Sequence, residues 1–435
     1  MKVLFANIPF VEQKYGRRWT GVNSGGRFPC TEPGNTRYAP YPFLLAWAVS
    51  YLRLRGIEAD LYDGVAMNHW ETSQVYDAIR NSKPDVLFLD LACSTRDIVL
   101  PVASWAKREL KCKIALCGPY CGPYIDRLLD GPDIDYVITG DYEIPAFRIA
   151  TEENPPRRFQ HEQLAQINTV NGINFVPYRV PEDLSRYLDP AMDMPNAPRI
   201  QLQVCASRGC PFGCGYCQLP ITVHNGRYRA RNPDNVIEEI RDMVKDVAEI
   251  GQRIGSIFFD DDTWNVGEER IREFSTKLSS LGLPWSMMGR LDTSSRELFK
   301  HMTKCGCVGM RFGVESFDQT LLEAIHRKQN AQEVEDDFRW LATNLTGIKF
   351  FAAMLKNMPG ETQQKEMADL SKLMAIRDLA EAHGNQFQIQ RSNCIPMPGT
   401  SLWQQYCSNR SDVQDPSLYR PEDPEPRLAK ILGWI

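Results

Sequence analysis

The chain has 435 residues, which is enough for two or three domains that each bury a core of their own. Its hydrophobic and charged fractions, 43% and 24%, are typical of a soluble protein, and its net charge of −5 argues against nucleic acid as the main substrate. No apolar run approaches the roughly 20 residues of a membrane helix, and Pro9 interrupts the first apolar stretch too early for a signal peptide. We therefore expect a cytoplasmic protein with no membrane partner, whose thirteen cysteines are reduced.

Residues 1–150 alternate short apolar strands with amphipathic helices, which predicts a doubly wound α/β domain of Rossmann type with a parallel sheet. The predicted strands are Lys2–Ile8, Glu58–Asp63, Val86–Asp90, Lys113–Cys117 and Tyr136–Thr139. The predicted helices are Pro42–Arg55, Glu71–Ser82, Ile98–Leu110, Tyr124–Leu129 and Ile144–Thr151. A long loop, from Pro9 to Ala39, follows the first strand, and loops of that length are usually functional or disordered.

Ligands of such sheets bind at the carboxyl ends of the strands. The segments at these ends are rich in small residues and contain our candidates for cofactor binding. These candidates are Ser94, Thr95, Gly118, Pro119, Gly140 and Glu143. No G-x-G-x-x-G turn follows the first strand, so we do not expect a dinucleotide.

Residues 151–198 contain Pro-Pro, Asn-Gly and scattered prolines without helical periodicity, which predicts a linker with a short hairpin around Asn168–Tyr178. Strands and helices alternate again in residues 199–402. The predicted strands are Arg199–Ala206, Ser256–Asp260, Trp285–Arg290, Gly309–Val314, Lys349–Leu355 and Gln386–Arg391. The predicted helices are Asn232–Ile250, Glu268–Leu281, Ser294–Cys305, Asp318–Ile325, Ala331–Asn344 and Thr362–Glu381. Six βα units form a partial (β/α)6 TIM barrel, whose chemistry lies at the carboxyl ends of its strands. Residues 403–435 are predicted to be a short C-terminal tail.

The first barrel strand is followed by the run Cys210-Pro-Phe-Gly-Cys214-Gly-Tyr-Cys217. Iron–sulfur clusters are normally held by four cysteines, so three thiolates on one loop predict a four-iron cluster with one open iron. A zinc knuckle is the alternative, but structural zinc sites add a second cysteine pair or histidines, and no histidine follows at a suitable distance. The other cysteines include Cys305 and Cys307, which are too few for a second cluster.

The cysteine spacing and its Gly-Cys-Pro-Phe-Gly setting resemble the radical S-adenosylmethionine (radical SAM) superfamily. The first 150 residues resemble the flavodoxin-like, cobalamin-binding domain of its class B enzymes. The matching segments are Tyr41-Pro-Phe-Leu-Leu-Ala, Pro84-Asp-Val-Leu-Phe-Leu, Cys117-Gly-Pro-Tyr and Asp135-Tyr-Val-Ile-Thr-Gly-Asp-Tyr-Glu. The D-x-H-x-x-G motif, which supplies a cobalt ligand in other cobalamin proteins, is absent, because Gly-Val-Ala-Met follows Asp63 and His69 stands at the wrong spacing. The resemblance therefore implies either a cobalamin site or a vestigial domain.

The same resemblance implies a [4Fe–4S] cluster on Cys210, Cys214 and Cys217, with S-adenosylmethionine (SAM) on the open iron. It further implies SAM contacts from the ends of later strands and an aromatic residue that lines the adenine side of the loop. These residues are Asp261, Asp262, Arg290, Glu315 and Ser316, together with Tyr216. Each of the strand-end residues also has a plain interpretation as a turn or cap residue.

Two reactions on a small-molecule substrate remain open. One is cobalamin-dependent methylation of an unactivated carbon or a phosphinate, and the other is cobalamin-independent radical chemistry. The latter includes carbon–carbon bond formation, ring rearrangement, heteroatom insertion and transfer of the aminocarboxypropyl group. A third hypothesis is that the protein is an iron–sulfur electron carrier or sensor rather than an enzyme. A radical SAM enzyme also implies a flavodoxin- or ferredoxin-type electron donor, and the sequence identifies no catalytic residue beyond the cofactor ligands.

Overall fold

The computed structural model describes residues 1–14, 17–22, 30–33, 42–67, 69–162, 189–190, 200–218, 223–249, 251, 253–413, 418–419 and 426–435. The chain divides into two compact units, one of residues 1–189 and 218–227 and one of residues 190–217 and 228–435. The predicted hairpin at Asn168–Tyr178 lies outside the described residues. No helix in the described ranges is both long and apolar enough to cross a bilayer.

The first unit is a doubly wound α/β domain, as predicted. Its elements are β1 Lys2–Asn7, β2 Phe10–Lys14, β3 Arg17–Val22, β4 Cys30–Pro33, α1 Phe43–Arg53, β5 Glu58–Asp63, α2 Thr72–Ser82, β6 Val86–Asp90, α3 Arg96–Glu109, β7 Lys113–Cys117, α4 Cys121–Leu129, β8 Tyr136–Gly140, α5 Glu143–Thr151 and β9 Arg158–Glu162. The main sheet has the order β5–β1–β6–β7–β8–β9, and all its pairs are parallel. This is the flavodoxin-like order with one strand added at the edge. Every residue of β6 and β8 is buried, as parallel strands covered on both faces require.

Two parts of this unit differ from the sequence-based prediction. Strand β9, which pairs with β8, falls inside the segment predicted to be linker. It was missed because it is mostly polar, and Phe159 alone carries a strand-like apolar side chain into the core. The predicted long loop also contains the antiparallel sheet β2–β3–β4, whose strands are too short and polar to stand out as apolar runs.

The second unit has the connectivity of a partial (β/α)6 barrel. From the boundary of the two units onward, its elements are β10 Asp189–Pro190, β11 Ile200–Val204, β12 Ser207–Arg208, β13 Arg229–Ala230, α6 Pro233–Glu249, β14 Ile254–Phe259, α7 Glu268–Ser279, β15 Trp285–Gly289, α8 Arg296–Lys304, β16 Cys307–Glu315, α9 Gln319–Ala324, α10 Ala331–Asn344, β17 Lys349–Lys356, α11 Gln363–Ala382, β18 Gln386–Asn393, α12 Ser401–Tyr406 and α13 Arg427–Leu432. Strands β11, β14, β15, β16, β17 and β18 pair in that order, all in parallel. Their carboxyl ends therefore meet at one edge, where the predicted site residues stand.

Local signals in the sequence explain where these elements start. Helix α6 begins at Pro233, directly after Asn232, whose side-chain oxygen accepts a hydrogen bond from the Asp234 amide at 2.8 Å. Strand β14 is buried along its whole length, and an aromatic cluster packs behind it, with Trp264 and Trp285 ring centroids 5.0 Å apart. This rigid core supports the carboxyl end of β14, from which Asp261 and Asp262 follow.

The C-terminal segment predicted to be a tail contributes to the core of the second unit. Ala429 of α13 and Trp434 belong to the same buried cluster as Ile325, Met358 and Leu402. Tyr216 of the cysteine loop packs against this cluster. The described part of residues 403–435 therefore covers the neighbourhood of the candidate site.

Candidate functional site

The loop that carries the three cysteines follows β12 and is clamped at Gly215. The Gly215 amide donates to the Ile325 carbonyl at 2.9 Å, and the Leu402 amide donates to the Gly215 carbonyl at 3.0 Å. A Cβ atom at this position would lie 2.9 Å from the Ile325 carbonyl oxygen and 2.9 Å from Nδ1 of His326. Glycine lets the loop approach the end of α9 this closely.

The three cysteines of the loop are placed in or beside the core. Cys214 is buried, whereas Cys210 and Cys217 are half-buried, and Sγ of Cys210 lies 3.2 Å from the hydroxyl of Thr263. Burial raises the pKa of the Cys210 thiol and raises that of Cys217 well above its ordinary value, and the neighbouring Cys214 raises both further. Since cluster ligands must be thiolates, their bonds to iron would have to offset this cost.

The residues present fit a four-iron cluster by the chemistry of their donors. Within the described ranges, no three His, Cys, Asp or Glu side chains converge as ligands of one metal ion. Each cysteine of a four-iron cluster binds a different iron, so convergence on a single point is not required. Three cysteines on one clamped loop with two arginines beside them suit an anionic cluster better than a single ion.

Two buried guanidinium groups face the sulfur of Cys214. Nη1 of Arg290 lies 3.6 Å from this sulfur, and Nη1 of Arg327 lies 3.7 Å from it. Arg290 makes a bidentate pair with Asp292, at 2.9 and 2.6 Å, and its guanidinium carbon stacks 4.0 Å from the centre of the Phe212 ring. In the structure its donors face Asp292 and Cys214. The contact of Arg290 with SAM that the resemblance implies stays a prediction.

Arg327 joins the cysteine loop to the end of β16. The Tyr216 hydroxyl donates to Glu315 at 2.8 Å, Arg327 donates to the Tyr216 oxygen at 3.0 Å, and Arg327 pairs with Glu315 at 3.3 Å. Burial, followed by the charge of Glu315, raises the pKa of Tyr216 well above its usual range. Tyr216 is therefore neutral at physiological pH.

The backbone at Glu315 is held in an unusual conformation. Its φ is +67°, in the left-handed region, and the register of β16 against β17 shifts between Gly313 and Glu315. Such conformations cost energy in a non-glycine residue and collect at functional sites. The bulge turns the Glu315 side chain toward Tyr216 and Arg327.

Asp261 and Asp262 follow β14 but have different surroundings. The Asp261 carboxylate is fully buried and accepts hydrogen bonds from the Ala206 amide, at 3.1 and 3.0 Å, and from the Ser207 hydroxyl. It therefore fixes the chain where it enters the cysteine loop. Asp262 is half-buried, and its charge contributes to the raised pKa of Cys210 and Cys217. The charge of Asp262 thus acts on two of the three cysteines.

Ser316 lies directly after Glu315 and has a structural role. Its buried hydroxyl donates to Asp369 at 2.5 Å and accepts from the Asp318 amide at 2.9 Å. The Phe317 amide donates to the same Asp369 carboxylate at 2.9 Å. These bonds fix the turn that leads into α9, and contact of Ser316 with SAM stays a prediction.

In the first unit, the predicted cofactor residues stand at the carboxyl ends of three adjacent strands. Ser94 and Thr95 follow β6, Gly118 and Pro119 follow β7, and Gly140 and Glu143 lie at the end of β8 and the start of α5. The Thr95 hydroxyl accepts from the Ala92 amide at 3.1 Å and so closes a short turn. The sheet thus brings all six candidates to one edge, and their contact with a cofactor stays a prediction.

Gly118 is required by the backbone at this edge. Its φ is +107°, and a Cβ atom there would lie 2.4 Å from Oδ1 of Asp90 and 2.6 Å from the Leu91 carbonyl oxygen. Beside it, burial and then the charge of Asp90 raise the pKa of Cys117 and Cys121 well above the ordinary thiol value. Both thiols are therefore protonated.

Arg327 and Thr263 are the site residues that the sequence analysis missed. Arg327 belongs to the basic run His326-Arg327-Lys328 after α9, which has no motif of its own. Thr263 was overlooked because the carboxylates that precede it in the sequence gave a stronger signal. Only the fold shows that both reach the cysteine loop.

The geometry agrees with what the chain is similar to. Residues 204–370 match the Radical SAM superfamily. An uncharacterized methyltransferase of Pyrococcus horikoshii is 24% identical over 390 residues, which is 85% of this chain and 79% of the relative. The chain is also similar to the solved structure of TsrM from Kitasatospora setae, a radical SAM methyltransferase with cobalamin and a [4Fe-4S] cluster bound. The alignment covers 93% of this chain and 78% of the TsrM chain, with a TM-score of 0.66 and 16% sequence identity.

A second solved structure shares the same layout. This structure is OxsB, a cobalamin-dependent SAM radical enzyme with aqua-cobalamin and SAM bound. The alignment covers 86% of this chain and 51% of the OxsB chain, with a TM-score of 0.61 and 13% sequence identity. Residues 204–370 thus match the superfamily that the cysteine spacing resembles, and the chain has the fold of these two solved structures, as the sequence predicts. A radical SAM domain implies a [4Fe–4S] cluster and SAM as cofactors.

Proposed function

We propose that this protein cleaves SAM reductively at a [4Fe–4S] cluster held by Cys210, Cys214 and Cys217, in order to methylate an unactivated carbon or a phosphinate of a small molecule with the help of cobalamin. The observation that carries this proposal is the clamped cysteine loop, which follows the first barrel strand and lies against charged residues at the ends of later strands. The domain ahead of it has the fold seen in TsrM and OxsB, whose structures contain cobalamin.

A bound cluster would supply one electron to SAM, so that its carbon–sulfur bond breaks to give methionine and a 5′-deoxyadenosyl radical. The chain's own residues prepare this step. The three cysteines lose their protons on binding, and the guanidinium groups of Arg290 and Arg327 stabilise the resulting negative charge. Burial of the loop keeps water away from a reactive intermediate.

We assign SAM contacts to residues that surround the cysteine loop. Tyr216 would line the adenine side, while Asp262 and Glu315 would receive the positively charged amine of the methionyl group. Asp261 and Ser316 would act mainly by holding the turns from which these side chains project. The electron would come from a flavodoxin- or ferredoxin-type donor.

The first unit would hold cobalamin at the carboxyl edge of its sheet. Ser94, Thr95, Gly118, Pro119 and Gly140 form turns there with little side-chain bulk, so a flat macrocycle can approach the backbone. Glu143 adds a buried carboxylate at the start of α5. This set offers no histidine ligand for cobalt.

Anaerobic reconstitution followed by metal and product analysis tests the proposal. We expect about four irons and about one cobalt per chain after incubation with iron, sulfide and cobalamin. S-adenosylhomocysteine should form together with 5′-deoxyadenosine when a methyl acceptor is present. A protein that carries iron but never retains cobalt, and that yields no S-adenosylhomocysteine, would contradict the methylation proposal.

Cobalamin-independent radical chemistry is the second candidate, and the surroundings of Asp63 favour it. In place of a cobalt-binding motif, Asp63 accepts hydrogen bonds from Asn7 and from the Val65 and Ala66 amides, and the ring of His69 lies 3.2 Å from the Tyr62 hydroxyl. Formation of 5′-deoxyadenosine alone would support this reaction. SAM cleavage of either kind would exclude a simple electron carrier or sensor.

A further inference from the structure

The sulfur of Cys214 differs from those of Cys210 and Cys217 in its surroundings. Two arginine nitrogens, from Arg290 after β15 and Arg327 after α9, lie within hydrogen-bonding distance of it, at 3.6 and 3.7 Å. Cys210, in contrast, lies beside the neutral hydroxyl of Thr263, at 3.2 Å, and accepts a backbone hydrogen bond from Phe212. Both guanidinium groups therefore act on the same cysteine, Cys214.

Arg290 is fixed in place by its own contacts. It is 4% exposed, its bidentate partner is Asp292, and it also donates to the Lys328 carbonyl at 3.3 Å. The ring of Phe212, two residues before Cys214, stacks under the guanidinium. Arg290 cannot swing toward solvent without losing all of these contacts.

Arg327, which follows α9, is also fixed by its own contacts. It is 5% exposed and donates to Gln329 at 2.6 Å, to the Gly313 carbonyl and to the Tyr216 oxygen. Arginine side chains stay charged in folded proteins, so both donors keep their charge and are held in place by these contacts.

Hydrogen bonds to cysteine sulfur are one of the means by which proteins set the potential of an iron–sulfur cluster. A cluster that accepts an electron gains negative charge on its sulfurs, so charged donors bind the reduced form more strongly than the oxidised form. We propose that Arg290 and Arg327 form a pair of donors that stabilises the reduced state of the cluster through the Cys214 thiolate. This inference rests on the proposed function, since it requires the cluster.

The test is a redox titration of the reconstituted protein, followed by electron paramagnetic resonance of the reduced cluster. Arg290→Gln and Arg327→Gln should each lower the midpoint potential by at least about 59 mV, which is a tenfold change in the equilibrium constant of a one-electron reduction. The double variant should be lower still. Arg296→Gln is the matched control, because Arg296 pairs with Asp337 on the exposed surface of the same unit, and it should leave the potential unchanged.

Iron content separates the possible outcomes. If the unaltered protein binds no four-iron cluster, the proposed function itself fails. If the variants keep their iron but titrate at the original potential, the proposed role of the arginines is overturned. If a glutamine variant loses its iron, the midpoint potential of Asp292→Asn tests the inference instead. This variant keeps both arginines and removes the carboxylate that neutralises Arg290. That variant should titrate at a higher potential, and an unchanged value overturns the inference.

Discussion

Two glycines of the cysteine loop have opposite steric surroundings, and this difference yields a prediction at the scale of single residues. A methyl group on Gly215 would press on the Ile325 carbonyl at 2.9 Å, whereas one on Gly213 would meet nothing within 4 Å. Gly215→Ala should therefore cost about 1–3 kcal/mol through overpacking and should displace the cysteines. The measurement is iron content after reconstitution together with urea unfolding.

Gly213→Ala serves as the control in the same loop. It should retain iron and unfold near the midpoint of the unaltered protein. Equal iron content in both alanine variants would show that the clamp at Gly215 does not position the cysteines.

Tyr216 gives a second prediction at this scale. Tyr216→Phe keeps the ring but removes the hydroxyl between Glu315 and Arg327. Because a buried carboxylate then lacks one donor, we expect a loss of about 1–3 kcal/mol in the free energy of unfolding. Urea denaturation at neutral pH measures it, and an unchanged midpoint would mean that Arg327 alone satisfies Glu315.

At the scale of elements, helix α9 depends on its N-cap, Asp318. The carboxylate accepts from the Thr320 and Leu321 amides at 2.9 and 3.1 Å. Burial opposes ionisation, but these bonds, the Thr320 hydroxyl and Lys365 hold the pKa of Asp318 below its usual value. Asp318→Ala should cost about 0.5–2 kcal/mol at pH 7, whereas Asp318→Asn keeps a capping oxygen and should cost little.

The pH dependence of this cap follows from the sign of the shift. A carboxyl whose pKa is lower in the folded protein contributes stability above its unfolded pKa of about 3.9, and that contribution is lost as the pH falls through the folded value. The difference between the unaltered protein and Asp318→Ala should shrink in acid. Unfolding measured over a pH series checks this, and a difference that is constant down to acid pH would contradict it.

Elements with a clear apolar period were predicted from the sequence, and those without one were not. Inner strands such as β6, β8 and β14 are buried on both faces, so their apolar runs stand out. The observed bounds of the predicted strands agree with the prediction to within two residues. Strand β9 lies at the edge with polar residues and was taken for linker. The cysteine loop was predicted because the spacing of its three cysteines is typical of cluster ligands. Arg327 was not predicted, because it contacts Tyr216 across 111 residues of sequence and no local pattern encodes such a contact.

At the scale of the whole molecule, the C-terminal segment is part of the core that supports the site. Trp434 packs in the cluster with Leu321 and Ile325, at the edge of the Tyr406 ring. Trp434→Ala should cost about 3–5 kcal/mol, because it removes a large buried side chain, and should weaken iron retention through the neighbouring Tyr216. Ile435→Ala is the control, since Ile435 is 56% exposed, and it should change neither unfolding nor iron content.

The central claim is that one loop with three cysteines holds the cluster at which SAM is cleaved. Its most direct test is the amount of 5′-deoxyadenosine formed from SAM by the chemically reduced, reconstituted protein. We predict turnover by the unaltered chain and none by Cys210→Ala, Cys214→Ala or Cys217→Ala, since each variant removes one of the three thiolates. Production that continues in any of these variants, or its absence in an unaltered protein with full iron content, would contradict the account.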